Sequence, residues 1–180
     1  MRKFNKKGFT LVELLAVIVI LALIMAIAIY SISGILQTSR ENVYKDTALS
    51  IIHGARNQLM LSQEQKAGTY YFTADILENN NDLPFGGKIN FATSSITGAS
   101  AINSSSGSVS FYKATTAKTK CTSSDYSFIN VSESSGTFTY SICIVPTGGD
   151  SNSKILAGTE AALMGNTTQT IFDMTAQPDV

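Results

Sequence analysis

The stretch Lys6–Leu15, KKGFTLVELL, decides how this chain is organised. It begins at the end of a basic cluster, continues into an apolar run, and places one carboxylate, Glu13, inside that run. A charged residue in an apolar membrane helix costs up to about 3 kcal/mol at the bilayer centre and less near its edge. An ionisable residue at such a position therefore indicates a function that involves a charged partner.

The apolar run after this stretch is long enough to cross a membrane. Leu14–Ile29 consists of sixteen apolar residues without Pro or Gly, and about 20 helical residues span a hydrocarbon core. Arg2, Lys3, Lys6 and Lys7 precede it. Because basic residues stay on the cytoplasmic side, the sequence predicts a single-pass membrane protein with a cytoplasmic N-terminus and an exported C-terminal part.

Three interpretations of this segment compete. A cleaved secretory signal has the same basic start and apolar region, and Ala26-Ile27-Ala28 supplies a small-residue cleavage pattern. An uncleaved signal anchor is the second interpretation. Neither has a use for Glu13, so the third interpretation has to account for this carboxylate.

The string from Lys6 to Leu15 resembles the precursors of type IV pilins and pseudopilins. Their signature is a short basic leader, a Gly, usually a Phe, and a Glu five residues into the mature chain, followed by an apolar helix. The resemblance implies that a prepilin peptidase cuts between Gly8 and Phe9 and that the new amine of Phe9 is methylated. It also implies a leader at 1–8, a transmembrane and assembly helix at 9–30 and an exported pilin domain at 31–180.

Under this resemblance Glu13 is an assembly residue. Cleavage after Gly8 creates an α-amine on Phe9, which is largely cationic at neutral pH. In a staggered bundle of helices, Glu13 of one subunit can meet the amine of its neighbour, and each charge then offsets the burial of the other. The alternative is a Glu at the membrane edge without a partner.

The chain departs from the family pattern at one position. Many pilins carry a Pro that kinks the helix at the position matching Tyr30, whereas the first Pro of this chain is Pro84. The helix is therefore expected either to be straighter or to unwind near Gly34 instead.

Charge argues against nucleic acid as a ligand. The chain has 13 basic and 13 acidic residues; without Met1–Gly8 the count is 13 − 4 = 9 basic against 13 acidic, a net charge of −4. A mildly acidic domain lacks the electrostatic footprint of a nucleic-acid binder. Binding of nucleic acid by this subunit is not expected.

The spacing of the cysteines and of the single histidine predicts neither a metal site nor a cofactor site, and the chain is not expected to be an enzyme. Cys121 and Cys143 are the only cysteines, and they lack metal-ligand spacing. In an exported domain they are expected to form one disulfide; the alternative is two free thiols in a cytosolic protein. His53 lies in a predicted helix and forms no catalytic motif. Gly148–Asn152 vaguely resembles a calcium loop but holds too few carboxylates.

Beyond Ile29 the helix changes from uniformly apolar to amphipathic. The spacing predicts that it packs against a globular body and ends near Gln65, before Gly68. Its recurring apolar residues, interpreted as core with a partner groove as the alternative, are Ile32, Leu36, Val43, Ile51, Ile52, Ala55 and Leu59, with Tyr44 and Ala48 nearby.

The second half of the chain reads as a small antiparallel sheet. Residues 66–87 are predicted as a connecting loop with a short helix at Ala74–Asn79, and Ser94–Ser108 as a surface loop. The predicted fold class is α+β, with a long N-terminal helical spine packed on an antiparallel meander. The strand candidates are Lys88–Thr93, Ser108–Ala114, Tyr126–Val131, Thr137–Val145 and Thr168–Met174.

The resemblance implies a structural subunit of a type IV pilus that serves adhesion, motility or DNA uptake. Its implied partners are the membrane before assembly, a prepilin peptidase, an inner-membrane assembly platform and other pilin subunits in an extracellular filament. The Asn/Ser/Thr-rich second half and the short Lys-rich leader hint at a Gram-positive cell. The alternatives are a pseudopilin of a type II secretion or competence system and a monomeric membrane-anchored binding module.

Overall fold

The computed structural model describes residues 9–76, 81–92, 96–103, 108–165 and 169–180. It confirms the α+β class, because a long N-terminal helix packs on an antiparallel sheet of seven strands. The chain divides into two compact units, the first ending at Ser39 and the second comprising Arg40–Val180.

The first helix, α1, spans Leu11–Leu61, which is 51 residues. It is helical through Tyr30 and Gly34, so the predicted unwinding near Gly34 does not occur. Within the second unit, the buried face of α1 starts at Tyr44. The residues Ile32, Leu36 and Val43 are about half exposed, whereas the buried ones are Tyr44, Ala48, Ile51, Ile52, Ala55 and Leu59.

Helix α1 ends four residues earlier than the predicted end at Gln65. Gln63 adopts a left-handed conformation with φ 56°, its N–H donates to the carbonyl of Met60 at 3.2 Å, and the N–H of Glu64 donates to the carbonyl of Leu59 at 3.1 Å. These paired bonds form a Schellman motif, which satisfies the last carbonyls of a helix. Glycine is the usual residue at the left-handed position, so a glutamine there gives no sequence signal.

Within the described residues, nine strands and one further α-helix follow α1. The seven-stranded sheet has the order β3-β4-β1-β5-β6-β8-β9, every pair is antiparallel, and β2 and β7 form a separate two-stranded sheet. A single 3₁₀ turn, Ala74–Ile76, lies between β1 and β2. The elements are β1 Gly68–Phe72, β2 Lys88–Ile89, β3 Ala99–Asn103, β4 Val109–Ala114, β5 Phe128–Ser134, β6 Thr137–Ile144, β7 Pro146–Thr147, β8 Lys154–Thr159, α2 Glu160–Met164 and β9 Ile171–Asp173.

The meander prediction is wrong, because β1 lies inside the sheet between β4 and β5. Residues 66–87 were expected to be a loop, yet they contain this strand. Residues Thr69–Phe72 of β1 are all buried, since a central strand is covered on both faces. Such a strand lacks the apolar–polar alternation by which a half-exposed strand is recognised.

The other strand predictions are confirmed in part. Strands β4, β5, β6 and β9 overlap their candidates, whereas Lys88–Thr93 shrinks to the two residues of β2. The predicted loop Ser94–Ser108 contains β3, and its positions 94–95 and 104–107 lie outside the described residues. Strands β7 and β8 and helix α2 were not predicted. The predicted helix Ala74–Asn79 is the 3₁₀ turn at Ala74–Ile76; its remainder, and positions 93 and 168 at the ends of two strand candidates, lie outside the described residues.

The sheet is covered on both faces, since alternating residues of its strands enter two different clusters. One cluster unites Tyr70, Ile129 and Ile142 with the buried face of α1. The other unites Tyr71 and Phe128 with the two cysteines and with the loop and tail residues that pack over them. The second unit is therefore a helix, a sheet and an irregular outer layer.

Candidate assembly site

The first turn of α1 is closed by a reciprocal set of hydrogen bonds between Thr10 and Glu13. The backbone N–H of Thr10 donates to Oε2 of Glu13 at 2.8 Å, and the Thr10 hydroxyl donates to the same oxygen at 2.9 Å. The backbone N–H of Glu13 donates in turn to Oγ1 of Thr10 at 3.3 Å. This is a capping box, in which residues at the N-cap and three positions later satisfy each other's free amides.

The capping box gives Glu13 a structural role that the sequence analysis missed. The alternative of a membrane-edge Glu without a charged partner in a neighbouring subunit stays open, because the capping bonds to Thr10 lie within one chain. The signal was present in the sequence, since a Thr followed three residues later by a Glu before an apolar run is the pattern of a helix start. Only Oε2 of Glu13 is engaged in these bonds, which leaves Oε1 able to accept from another group.

The apolar surface that follows is uncovered in a single chain. Phe9 is 86% exposed, Leu14 is 61% exposed and Ile29 is 67% exposed. Among the described residues, α1 is a helix long and apolar enough to cross a membrane by its length and composition. An apolar surface of this extent requires lipid or other apolar helices around it.

The beginning of the chain also matches a known family model, described as the prokaryotic N-terminal methylation motif, over residues 3–29. The chain carries the class III signal sequence of type IV pilins and pseudopilins. No curated protein and no solved structure gives a significant match.

The pilin-type signal supports a type IV pilin-like or pseudopilin-like protein, and together with the apolar helix it fits a membrane-anchored precursor. Proteins with this motif are generally structural rather than enzymatic. Of the two residues predicted to flank the cleavage position, Phe9 lies immediately before the capping box, and Gly8 lies outside the described residues.

The two cysteines of this pilin-like chain are joined to each other. Cys121 and Cys143 form a disulfide with Cα atoms 5.7 Å apart, and both residues are buried. Cys143 lies on β6, and Cys121 lies in the loop between β4 and β5. The backbone N–H of Cys121 also donates to the carbonyl of Pro178 at 3.0 Å. The disulfide therefore fastens both the loop and the chain's last residues to the outer face of the sheet.

A charged cluster connects α1 to α2. Glu160 accepts from Arg56, and its Oε1 lies 3.3 Å from Nε2 of His53, whose side chain is 57% exposed. The Arg56 guanidinium lies 4.6 Å from the centre of the Tyr140 ring, a cation–π contact. His53 is therefore an exposed helix residue beside a carboxylate, and no nucleophile completes a catalytic set with it among the described contacts.

A second ion pair lies in the outer layer. Lys118 Nζ is 2.5 Å from Oδ1 of Asp125, whose other oxygen accepts from the backbone and the hydroxyl of Thr122. The hydrogen bond to Asp125 raises the pKa of Lys118 above its ordinary value, although burial acts in the opposite direction. Burial raises the pKa of the neighbouring Tyr71. These shifts reflect a satisfied structural network rather than a reactive group.

Within the described residues no group of three or more metal-ligating side chains occurs. The calcium-like segment Gly148–Asn152 forms a turn in which Oδ1 of Asp150 accepts from the backbone of Asn152 at 2.8 Å. The carboxylate therefore closes its own loop, as expected of an Asx turn.

Proposed function

We propose that the chain is a structural subunit of a type IV pilus, processed by a prepilin peptidase and polymerised through its N-terminal helix. The observation that carries this proposal is the methylation motif at residues 3–29 on a helix whose apolar surface is entirely uncovered. In the membrane, lipid covers this surface; in a filament, the same helices of neighbouring subunits replace the lipid.

The proposed division of the chain follows from the cleavage position. Residues 1–8 are the leader, 9–30 form the transmembrane and assembly helix, and 31–180 are exported. The C-terminal domain then forms the outside of an extracellular filament. The membrane, the peptidase, an inner-membrane assembly platform and other pilin subunits are the proposed partners.

Glu13 is proposed to pair with the α-amine of Phe9 of a neighbouring subunit. The capping box supports this geometry, because it holds the carboxylate at the start of the helix and leaves Oε1 available. Removal of one partner from a buried ion pair costs about 3–5 kcal/mol, since the other charge stays buried and unpaired. The charge of Glu13 should therefore matter far more for assembly than for the helix.

The cleavage is tested by the N-terminus of the mature protein, determined by intact mass and terminal sequencing with and without a co-expressed prepilin peptidase. A methylated Phe9 start that depends on the peptidase is the expected result. A start at Ile29, or an uncleaved Met1, would contradict the proposal and indicate an ordinary secreted or anchored protein.

The role of Glu13 is tested with two variants that separate its charge from its capping bonds. Glu13→Gln keeps a capping-box residue but removes the charge, and we expect filament yield to fall by roughly a hundredfold or more. Thr10→Ala breaks the capping box at a cost of about 0.5–2 kcal/mol and retains the charge, so filaments should persist. Electron microscopy of sheared filaments measures the yield, and membrane fractionation controls for insertion. Equal loss in both variants would assign Glu13 to helix capping alone.

A further inference from the structure

A pocket of about 420 Å³ lies in the second unit, between β8, α2, β9 and residues 178–180. Small-molecule sites usually have volumes of about 300–1,000 Å³ and combine an apolar lining with a few polar groups. The pocket is distant in sequence from the assembly site.

The walls of this pocket are mostly apolar. Ala157, Ala162 and the half-buried Phe172 belong to the lining. Pro178 and Val180, both half-buried, complete the lining from the chain's last residues. A hydrocarbon body can therefore leave water by entering this pocket.

Three polar side chains line the pocket, those of Asp179, Gln169 and Thr159. The carboxylate of Asp179 is exposed and has no ion-pair or hydrogen-bond partner among the described residues. The amide of Gln169 donates through Nε2 to the carbonyl of Ile171 at 3.0 Å, which leaves its Oε1 free to accept. The Thr159 hydroxyl already accepts from the backbone of α2 at 3.2 Å.

We propose that this pocket binds a small organic amine, with the ammonium group on Asp179 and a compact hydrocarbon body against Phe172. An ammonium group has three donors and no acceptor, so it matches a carboxylate and an amide oxygen. An anionic ligand would meet the charge of Asp179 with repulsion. A neutral apolar ligand would leave this carboxylate without a new partner.

Lys120 is the charged neighbour that opposes such a ligand. It pairs with Asp179 through an isolated antiparallel backbone bridge, and no ion pair joins the two side chains in the described part of the chain. Residues directly opposite in such a bridge have adjacent side chains. The positive charge of Lys120 therefore competes with the amine for Asp179, and its removal should strengthen binding.

The experiment is a titration of the full chain in nonionic detergent with 2-phenylethylamine and with its neutral counterpart 2-phenylethanol. Amide chemical shifts of Gly158, Gln169, Phe172 and Asp179 report occupancy. The amine should bind roughly two- to fivefold more tightly than the alcohol, the ratio expected of one exposed ion pair. Asp179→Asn should remove this preference, and Lys120→Gln should increase it.

Glu133→Gln is the matched control, because Glu133 is another exposed carboxylate and lies on β5 outside the pocket lining. It should leave both titrations unchanged. Equal affinity for amine and alcohol, a preference that survives Asp179→Asn, or the absence of saturable shifts at these residues would each overturn the proposal.

Discussion

Removal of the disulfide should destabilise the second unit by about 3 kcal/mol. Cys121 and Cys143 are separated by 22 positions, and the loop-entropy relation for a closed loop of this length predicts about 3 kcal/mol at 25 °C. The closed loop includes β5 and most of β6. In the unfolded chain the cross-link therefore restricts the segments that form these central strands on folding. We therefore expect a global loss of stability rather than local fraying.

The disulfide can be removed by mutation or by reduction, and the two treatments differ in whether the sulfur atoms are retained. Cys121→Ala with Cys143→Ala deletes two buried sulfur atoms and adds a packing cost, whereas reduction of the wild-type disulfide retains both atoms. Pulse proteolysis of the full chain across a urea series, in nonionic detergent, gives the unfolding midpoint. For a urea dependence of about 1–3 kcal/mol per molar, the midpoint should fall by roughly 1–3 M in both cases.

An unchanged midpoint on full reduction, verified by intact mass with an alkylating reagent, would refute the reasoning. It would mean that the unfolded chain is already compact around this loop, so that the cross-link removes little conformational freedom. A decrease in the double variant alone would assign the effect to lost sulfur packing instead.

Three further predictions concern the backbone and the outer layer. Gly149→Ala places a Cβ 1.9 Å from Oγ of Ser153 and should lower the free energy of unfolding by about 1–3 kcal/mol. Addition of Ser153→Gly to this variant should restore most of the lost stability in the same urea assay. Gln63→Gly removes the strain of a non-glycine residue in the left-handed conformation at φ 56° and should stabilise the protein by about 0.5–1 kcal/mol. A lower urea midpoint for this variant would contradict the prediction. The pKa of Lys118 is higher in the folded protein than in the unfolded chain. Its bond to Asp125 therefore contributes its full stabilisation below the unfolded-state pKa of Lys118, and this stabilisation is lost as the pH rises through the folded-state pKa. Wild-type stability should therefore fall above about pH 10, and Lys118→Gln should make that fall shallower.

The N-terminal half of α1 could be predicted well because local sequence determines it. A sustained apolar run, a basic flank and a Thr-x-x-Glu start each act within a few residues, without help from distant segments. The helix end was misplaced by four residues for the opposite reason. Gln63 adopts a conformation that a glutamine rarely has, so its residue type does not mark the helix end.

The sheet was predicted less well because its pairing depends on distant residues. Strand β1 lacks alternation since both of its faces are buried, and β3 consists of Ala, Ser, Ile and Asn at a sheet edge. Neither strand has a local signal as clear as that of β6, where Phe138, Tyr140 and Ile142 alternate. The pocket at Asp179 was not predictable, because it joins residues separated by some twenty positions that only the tertiary fold brings together.

The position of β1 inside the sheet also sets the order in which the domain can be completed. Tyr70 on β1 is paired with Lys113 on one side and with Ile129 on the other, so both partners are synthesised long after β1 itself. A growing chain therefore carries an apolar strand with two unpaired edges until β4 is available at residue 114, and with one unpaired edge until residue 131 is available. Such edges can pair with other chains, and non-local pairing is intrinsically slow. The interval between the emergence of β1 and that of β5 is the period in which a newly made subunit is most exposed to aggregation.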